Sequence, residues 1–296
     1  MSTGHRNTRD QPRGLGQSSA APARANTAWP HIVAKAENVH SRTIIPWPGG
    51  KTRLLQHLLP LLSDIPHTCY VEAFAGGAAL LFAREPAKVE VLNDTHGELV
   101  RLYRVIANHL DEFVRQFRWS LTSREMFKWA KMQHPETLTD IQRAARFYYL
   151  QRLCFGGKVT GQTFGTATTS PKRINLLRLE EDLSAAHLRL HSVVVEHLAW
   201  QDCLSRYDTP HTLFFHDPPY WEMEGYGGEF GMEQYEELTE RMATMQGRSI
   251  LTINDHPAMR RVFGRFPSRV VPIRYTIGGN GRSAPRKERI YVPVRA

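Results

Sequence analysis

The 296-residue chain has only three cysteines, Cys69, Cys154 and Cys203, far apart and with no CxxC pair. That excludes a disulfide framework and a cysteine-ligated zinc site, and nothing in the sequence calls for a metal. No apolar run approaches the roughly 18 residues a membrane span needs. The opening MSTGHRNTRDQPRG has no apolar stretch of the kind a secretion signal carries. A cytoplasmic chain with no membrane partner is therefore the expectation. Internal repeats are absent, and so is the GxGxxG fingerprint of dinucleotide-binding dehydrogenases.

Acidic residues are also in deficit, 29 against 38 Lys and Arg, for a net charge of +9. The imbalance is local. Residues 1–42 carry +4, 43–110 balance, 111–175 carry +6, 176–254 carry −9 and 255–296 carry +8. Basic blocks of this kind are either solvated faces or the footprint of a polyanion, whose counterions Lys and Arg displace. Charge alone does not choose between them.

Residues 1–42 are rich in Arg, Ala, Pro, Ser and Gly and poor in large apolar side chains, which predicts a disordered basic tail. From residue 69 onward, short apolar runs alternate with amphipathic stretches. Strands are predicted at 69–74, 89–94, 193–198, 212–217 and 249–255, with helices such as 96–110 and 233–245 between them. This pattern predicts an α/β fold around a mostly parallel sheet. Two more strands, 269–277 and 288–294, flank a glycine-rich turn and suit an antiparallel C-terminal hairpin, giving seven in all. Residues 111–190 break the alternation with helical patterns alone. Within them, Thr139 and Gln142 have capping-box spacing ahead of a helix over 139–153. The segment CFGGKVTGQTFG (154–165) follows as a glycine-rich loop.

Three signals carry chemistry. VEAFAGGAALLF (71–82) reads as strand, glycine turn and helix, with Gly76 and Gly77 where open parallel sheets bind cofactors, although such a turn also serves plain tight bends. Asp94 ends the next strand, where a carboxylate can accept from both hydroxyls of a ribose or cap the helix that follows. HDPPYW (216–221) follows the apolar TLFF. Pro218 and Pro219 force a rigid, extended turn without backbone donors. Asp217 and the Pro218 carbonyl would then face one amino group as paired acceptors, with Tyr220 stacked on its ring. An aryl amine is a poor nucleophile because its lone pair is delocalised, and accepting both hydrogens localises that pair.

From about residue 43 to 294 the chain resembles the Dam-like class of DNA adenine methyltransferases, particularly phage and prophage members. The resemblance rests on PWPGGKTRLL (46–55), EAFAGG (72–77), Asp94 and DPPYW (217–221), in that order. It implies a class I methyltransferase sheet of seven strands over 43–110 and 191–296, with a helical target-recognition insert over 111–190. It implies S-adenosylmethionine as cofactor, held by Trp47, Gly49, Gly50, Lys51, Glu72, Phe74, Gly76, Gly77 and Asp94, with Asp202 near the cofactor adenine. Asp217, Pro218, Pro219 and Tyr220 would act on an adenine flipped out of double-stranded DNA. Ala73 stands where the family usually has proline. DNA contacts are expected from Lys158, Lys172 and Arg173 in the insert, and from Arg282, Arg286, Lys287 and Arg289 in the final hairpin. Methylation of the cytosine amine and a catalytically dead DNA-binding relative are the alternatives.

Overall fold

Successive side chains of a strand point to opposite faces, so a strand apolar at every position must be covered on both sides. Strand β4 (Thr212–His216) is such a strand, buried at all five residues. Leu213 and Phe215 enter one core with Tyr70 and Ile250, while Phe214 enters the opposite core with Val71, Leu251 and Ile253. The computed structural model describes residues 43–166, 174–223, 230–274 and 285–292. The tail expected over 1–42 lies outside them.

Strands β1 (Cys69–Glu72), β2 (Val89–Asn93), β3 (Val193–Glu196), β4 and β5 (Arg248–Asn254) are mutually parallel. With β6 (Ser268–Arg274) and β7 (Pro285–Tyr291) they form one sheet, in the order β3-β2-β1-β4-β5-β7-β6. β7 runs antiparallel to both β5 and β6. This is the strand order of a class I methyltransferase, and all seven expected strands are present. Beyond β1 the chain builds outward through β2 and β3, then returns to β4 and β5 on the other side. The order therefore reverses between β1 and β4, and open α/β sheets bind ligands at that crevice.

The helices are α1 (Leu55–Ser63), α2 (Ala79–Ala83), α3 (Gly97–Asn108), α4 (Leu110–Arg115), α5 (Arg124–Met132), α6 (Asp140–Leu153), α7 (Leu179–Leu190), α8 (Trp200–Tyr207), α9 (Met232–Thr244) and α10 (Pro257–Val262). The helix expected over 96–110 stops at His109, whose backbone (φ −138°, ψ 40°) leaves the helical region, and α4 starts beyond it. The Thr139 capping box is formed in both directions, with Gln142 N–H donating to the Thr139 hydroxyl and Thr139 N–H to the Gln142 amide oxygen.

The helices of 111–190 do not fold apart from the sheet. Phe113, Phe117, Phe147, Tyr148, Leu183 and Leu190 share one core with Leu99, Leu102, Tyr103 and Ile106 of α3 and with Leu92 of β2. Each large apolar side chain fully buried in this way contributes roughly 1.5–3 kcal/mol. The boundaries read at 110 and 190 are changes of pattern, not gaps in packing.

Candidate active site

The site forms where β1, β2 and β4 end. Asn93, 1% exposed, closes β2 and stitches its neighbours. Its amide nitrogen donates to the carbonyls of Ala73 and Leu198, and its oxygen accepts from Leu198 N–H. Beyond β1 the chain turns through Gly76 (φ 48°) and Ala78 (φ 50°) into α2. A Cβ on Gly76 would stand 2.8 Å from the Trp47 indole, and one on Gly77 3.2 Å from the Trp47 Cβ. The two glycines thus admit Trp47 onto the turn. Asp94 fixes the turn from the other side, accepting from Gly76 N–H (2.9 Å) and His96 N–H (2.8 Å). Burial raises its pKa, and those two donors oppose the shift. The cap of α3 is His96, whose Nδ1 accepts from Leu99 N–H, so Asp94 is not the cap.

Glu72, at the end of β1, is 2% exposed. Its Oε1 accepts from the Tyr70 hydroxyl (3.1 Å) and from Leu81 N–H (2.8 Å). Burial pushes its pKa up to about 8. These groups surround a cavity of about 680 Å³. Trp47, Gly49, Gly50, Lys51, Glu72, Phe74, Gly76, Gly77 and Asp94 all line it, together with Asp217 and Pro219. Asp202 does not. It is exposed on the first turn of α8, two residues after the lining residue Trp200.

Sequence reasoning named Phe74 but missed Trp200 and Phe230, which also line this cavity. Phe74, Trp200 and Phe230 lie with ring centroids 5.7–6.4 Å apart, and Trp200 Nε1 donates to Gln234 Oε1. Only tertiary structure brings the three together. Aromatic rings and the Asp94 carboxylate in the lining of one cavity suit a nucleoside, with a flat base on the rings and ribose hydroxyls on the acid's remaining lone pairs.

The DPPYW turn is held by contacts at Asp217, Pro219, Tyr220 and Trp221. Asp217 Oδ2 lies 2.6 Å from Lys51 Nζ, and Oδ1 accepts from the Thr252 hydroxyl (2.8 Å). Burial raises the Asp217 pKa, while Lys51 and Thr252 pull it down. The Lys51 ammonium is itself 4% exposed and also sits 4.6 Å from the Tyr220 ring centroid. Tyr220 is buried, its hydroxyl donating to Glu288 Oε2 at 2.6 Å. Tyr235 donates to the Pro219 carbonyl, and the Asn254 side chain pairs with both the N–H and C=O of Trp221. Pro218 is buried within this clamp. The ring read as a stacking platform thus has a cation over it, and the acid read as an amine acceptor already carries an amine.

A second buried amide joins the site to the loop at 154–165. Gln151, 0% exposed in α6, donates to the carbonyls of Pro46 (2.9 Å) and Gly157 (2.6 Å) and accepts from Gln162 (2.8 Å). Lys158 is exposed on that loop. Lys172, Arg173 and Arg282 lie outside the described residues, and Arg286 is described only as part of β7. Lys287 is exposed. Arg289 is committed elsewhere: it donates to Asp255 and to the Ser268 hydroxyl, both at 2.9 Å, and Asp255 also holds Arg260 through two 2.7 Å bonds.

Residues 47–257 match the profile of the D12 class N6 adenine-specific DNA methyltransferases. The chain belongs to that family. These enzymes use S-adenosylmethionine to methylate the N6 amino group of adenine in DNA, so neither the cytosine reading nor the inactive one is retained. Among relatives of this D12 methyltransferase, the type II methyltransferase M.CviBI of Paramecium bursaria Chlorella virus NC1A is 28% identical over 232 residues, 76% of this chain and 87% of its own. The DNA adenine methylase of Escherichia coli K12 is 23% identical over 261 residues, 81% of this chain and 91% of its own. A solved methyltransferase structure complexed with SAH, SMU.472, aligns over 87% of this chain and 56% of its own at 11% identity. Its TM-score of 0.37 is too low for it to bear on this site. Among the described residues there is no cluster of metal-ligating side chains, and no helix is long and apolar enough to cross a membrane.

Proposed function

We propose that Asp217, the Pro218 carbonyl and Tyr220 receive an adenine flipped out of double-stranded DNA, Asp217 and Pro218 accepting the two hydrogens of its amino group. The observation that carries this reading is the Lys51 ammonium, which is on Asp217 and over the Tyr220 ring. The site binds an N–H donor in front of an aromatic ring, which is how an adenine amino group would present itself. S-adenosylmethionine, when bound, supplies a methyl group made electrophilic by its sulfonium sulfur. Asp217 and Pro218 draw the amine hydrogens toward themselves and localise the nitrogen lone pair toward that methyl. The nitrogen sheds one proton in the exchange. Asp217 is placed to take it, and its burial makes it a stronger base than an exposed aspartate. No covalent intermediate with the protein is needed. Positioning and fixed dipoles supply the acceleration.

Asp94 holds the cofactor ribose, Phe74, Trp200 and Phe230 its base, and Glu72, Trp47 and Gly49 to Lys51 enclose the rest. Helices and loops of 111–190, with Lys158 on the exposed loop, read the DNA sequence, while Lys287 and its neighbours hold phosphates. The enzyme works where DNA and S-adenosylmethionine meet, in the cytoplasm of a prokaryotic or phage-infected cell. Asp217→Ala is the test. Transfer of a tritiated methyl group to DNA should be lost while cofactor affinity, measured by calorimetry, stays near that of the parent. Near-normal turnover would remove Asp217 from the role of amine acceptor.

A further inference from the structure

Glu288 is a carboxylate in an unusual place. It sits on β7 opposite Asn254 of β5 and is 1% exposed. One oxygen accepts from the Tyr220 hydroxyl. The other, Oε1, is buried and has no hydrogen-bond partner among the described residues. Buried polar atoms are nearly always paired, so an orphaned carboxylate oxygen calls for a reason. Its surroundings offer one. Tyr220 bridges Glu288 and Lys51, with its hydroxyl on the first and its ring under the second. Lys51 in turn holds Asp217. The three charged groups share one field: burial raises the Glu288 pKa, Lys51 lowers it and Asp217 raises it.

An adenine amino group that takes Asp217 competes with the Lys51 ammonium for the oxygen it now holds. Displaced from Asp217, the ammonium would keep the Gly49 carbonyl and the Tyr220 face, but neither is a counter-charge, and a buried cation without one is disfavoured. We infer that Glu288 Oε1 receives the Lys51 ammonium when the target base enters, so that Lys51 alternates between Asp217 and Glu288 across the Tyr220 ring. This inference rests on the reading of Asp217 as the amine acceptor. It makes Glu288 a positioning residue that acts through Lys51. It also ties base entry to activation, since Asp217 loses its stabilising cation just as it must accept hydrogens and becomes the stronger base. Without the second station, Lys51 would compete with the substrate for Asp217.

Single-turnover methyl transfer at saturating DNA tests this with Glu288→Gln, which keeps the shape and removes the charge. Loss of one charge-assisted contact predicts a rate about ten- to a hundredfold lower, with DNA affinity and S-adenosylmethionine affinity unchanged. On a Lys51→Met background, where nothing needs to be received, the same change should have no further effect. On a Tyr220→Phe background it should still act. An equal loss with and without Lys51 would overturn the inference, as would a loss that vanishes once the Tyr220 hydroxyl is gone. A parental rate in Glu288→Gln would do the same. Should Glu288→Gln fail to fold, a crystal structure of the parent chain decides, with sinefungin and a duplex bearing its methylated site. Lys51 Nζ within hydrogen-bond reach of Glu288 Oε1 is expected, and Lys51 still on Asp217 beside the seated base overturns the proposal. Asp217→Ala retaining transfer would instead refute the reading of Asp217 itself, whatever Glu288 does.

Discussion

Replacing Glu72 with Gln should stabilise the protein, by an amount that grows with pH. The Glu72 carboxyl titrates at about 8 in the folded chain against an ordinary 4.5, because burial disfavours its charge. The folded state therefore keeps a proton that the unfolded state releases above pH 4.5. A raised carboxylate pKa means stability is highest below 4.5, falls as pH rises and levels off above about 8. At one pKa unit per 1.36 kcal/mol, the cost is about 3 kcal/mol at pH 7 and nearly 5 kcal/mol at the plateau. Glutamine cannot ionise. Its oxygen can still accept from the Tyr70 hydroxyl and Leu81 N–H, both of which use one carboxylate oxygen. Urea unfolding of parent and variant at pH 5, 7 and 9 gives the difference directly, and groups common to both cancel. The expected gap is below about 1 kcal/mol at pH 5 and opens to the full value by pH 9. A gap that does not change with pH, or a variant that is less stable throughout, would refute the argument that Glu72 is held neutral by burial.

Asp94→Asn should weaken S-adenosylmethionine binding about tenfold or more by removing charge-assisted hydrogen bonds, and calorimetry would register it. An affinity equal to the parent's would leave Asp94 only its contacts with Gly76 and His96. Arg289→Ala should lower the melting temperature while leaving the salt dependence of DNA binding intact, because that guanidinium is spent on Asp255 and Ser268. The exposed Lys287→Ala should do the reverse, flattening the salt slope by about one without loss of stability.

The strands were legible because each carries a short apolar run, a signal contained within a few residues. The glycine turn, Asp94 and DPPYW were legible for the same reason: each carries its chemistry within a few residues. What escaped depends on contacts between distant segments. Lys51 meets Asp217, Phe74 meets Trp200 and Phe230, and Tyr220 meets Glu288 only after the sheet has formed. In PRKERIY the charges read as one basic strip for DNA, yet β7 alternates. Lys287 is exposed, Glu288 buried, Arg289 partly buried and Ile290 buried. Reading that strand with a period of two would have turned Glu288 inward, whereas the commitment of Arg289 to Asp255 and Ser268 is a tertiary contact that no period shows. Asp202, outside the cavity lining, stands in the first turn of α8, where a carboxylate is as easily a partner for the helix dipole as a ligand contact.

The Gln151 amide has a consequence for anyone wishing to redirect this enzyme. Its two N–H groups and its oxygen tie Pro46, Gly157 and Gln162 together, and Gly157 packs so closely on Pro46 that a Cβ there would lie 3.3 Å away. The loop bearing Lys158 is thus fastened to the segment bearing Trp47 and Lys51. An exchange of that loop for a relative's is therefore not a swap of independent cartridges. A graft cut at 154 and 165 replaces the Gly157 and Gln162 ends of the tie and should loosen the segment bearing Trp47 and Lys51. Seams placed outside the tie, carrying 46–51 and 151–162 across together from one donor, should preserve turnover in the chimaera.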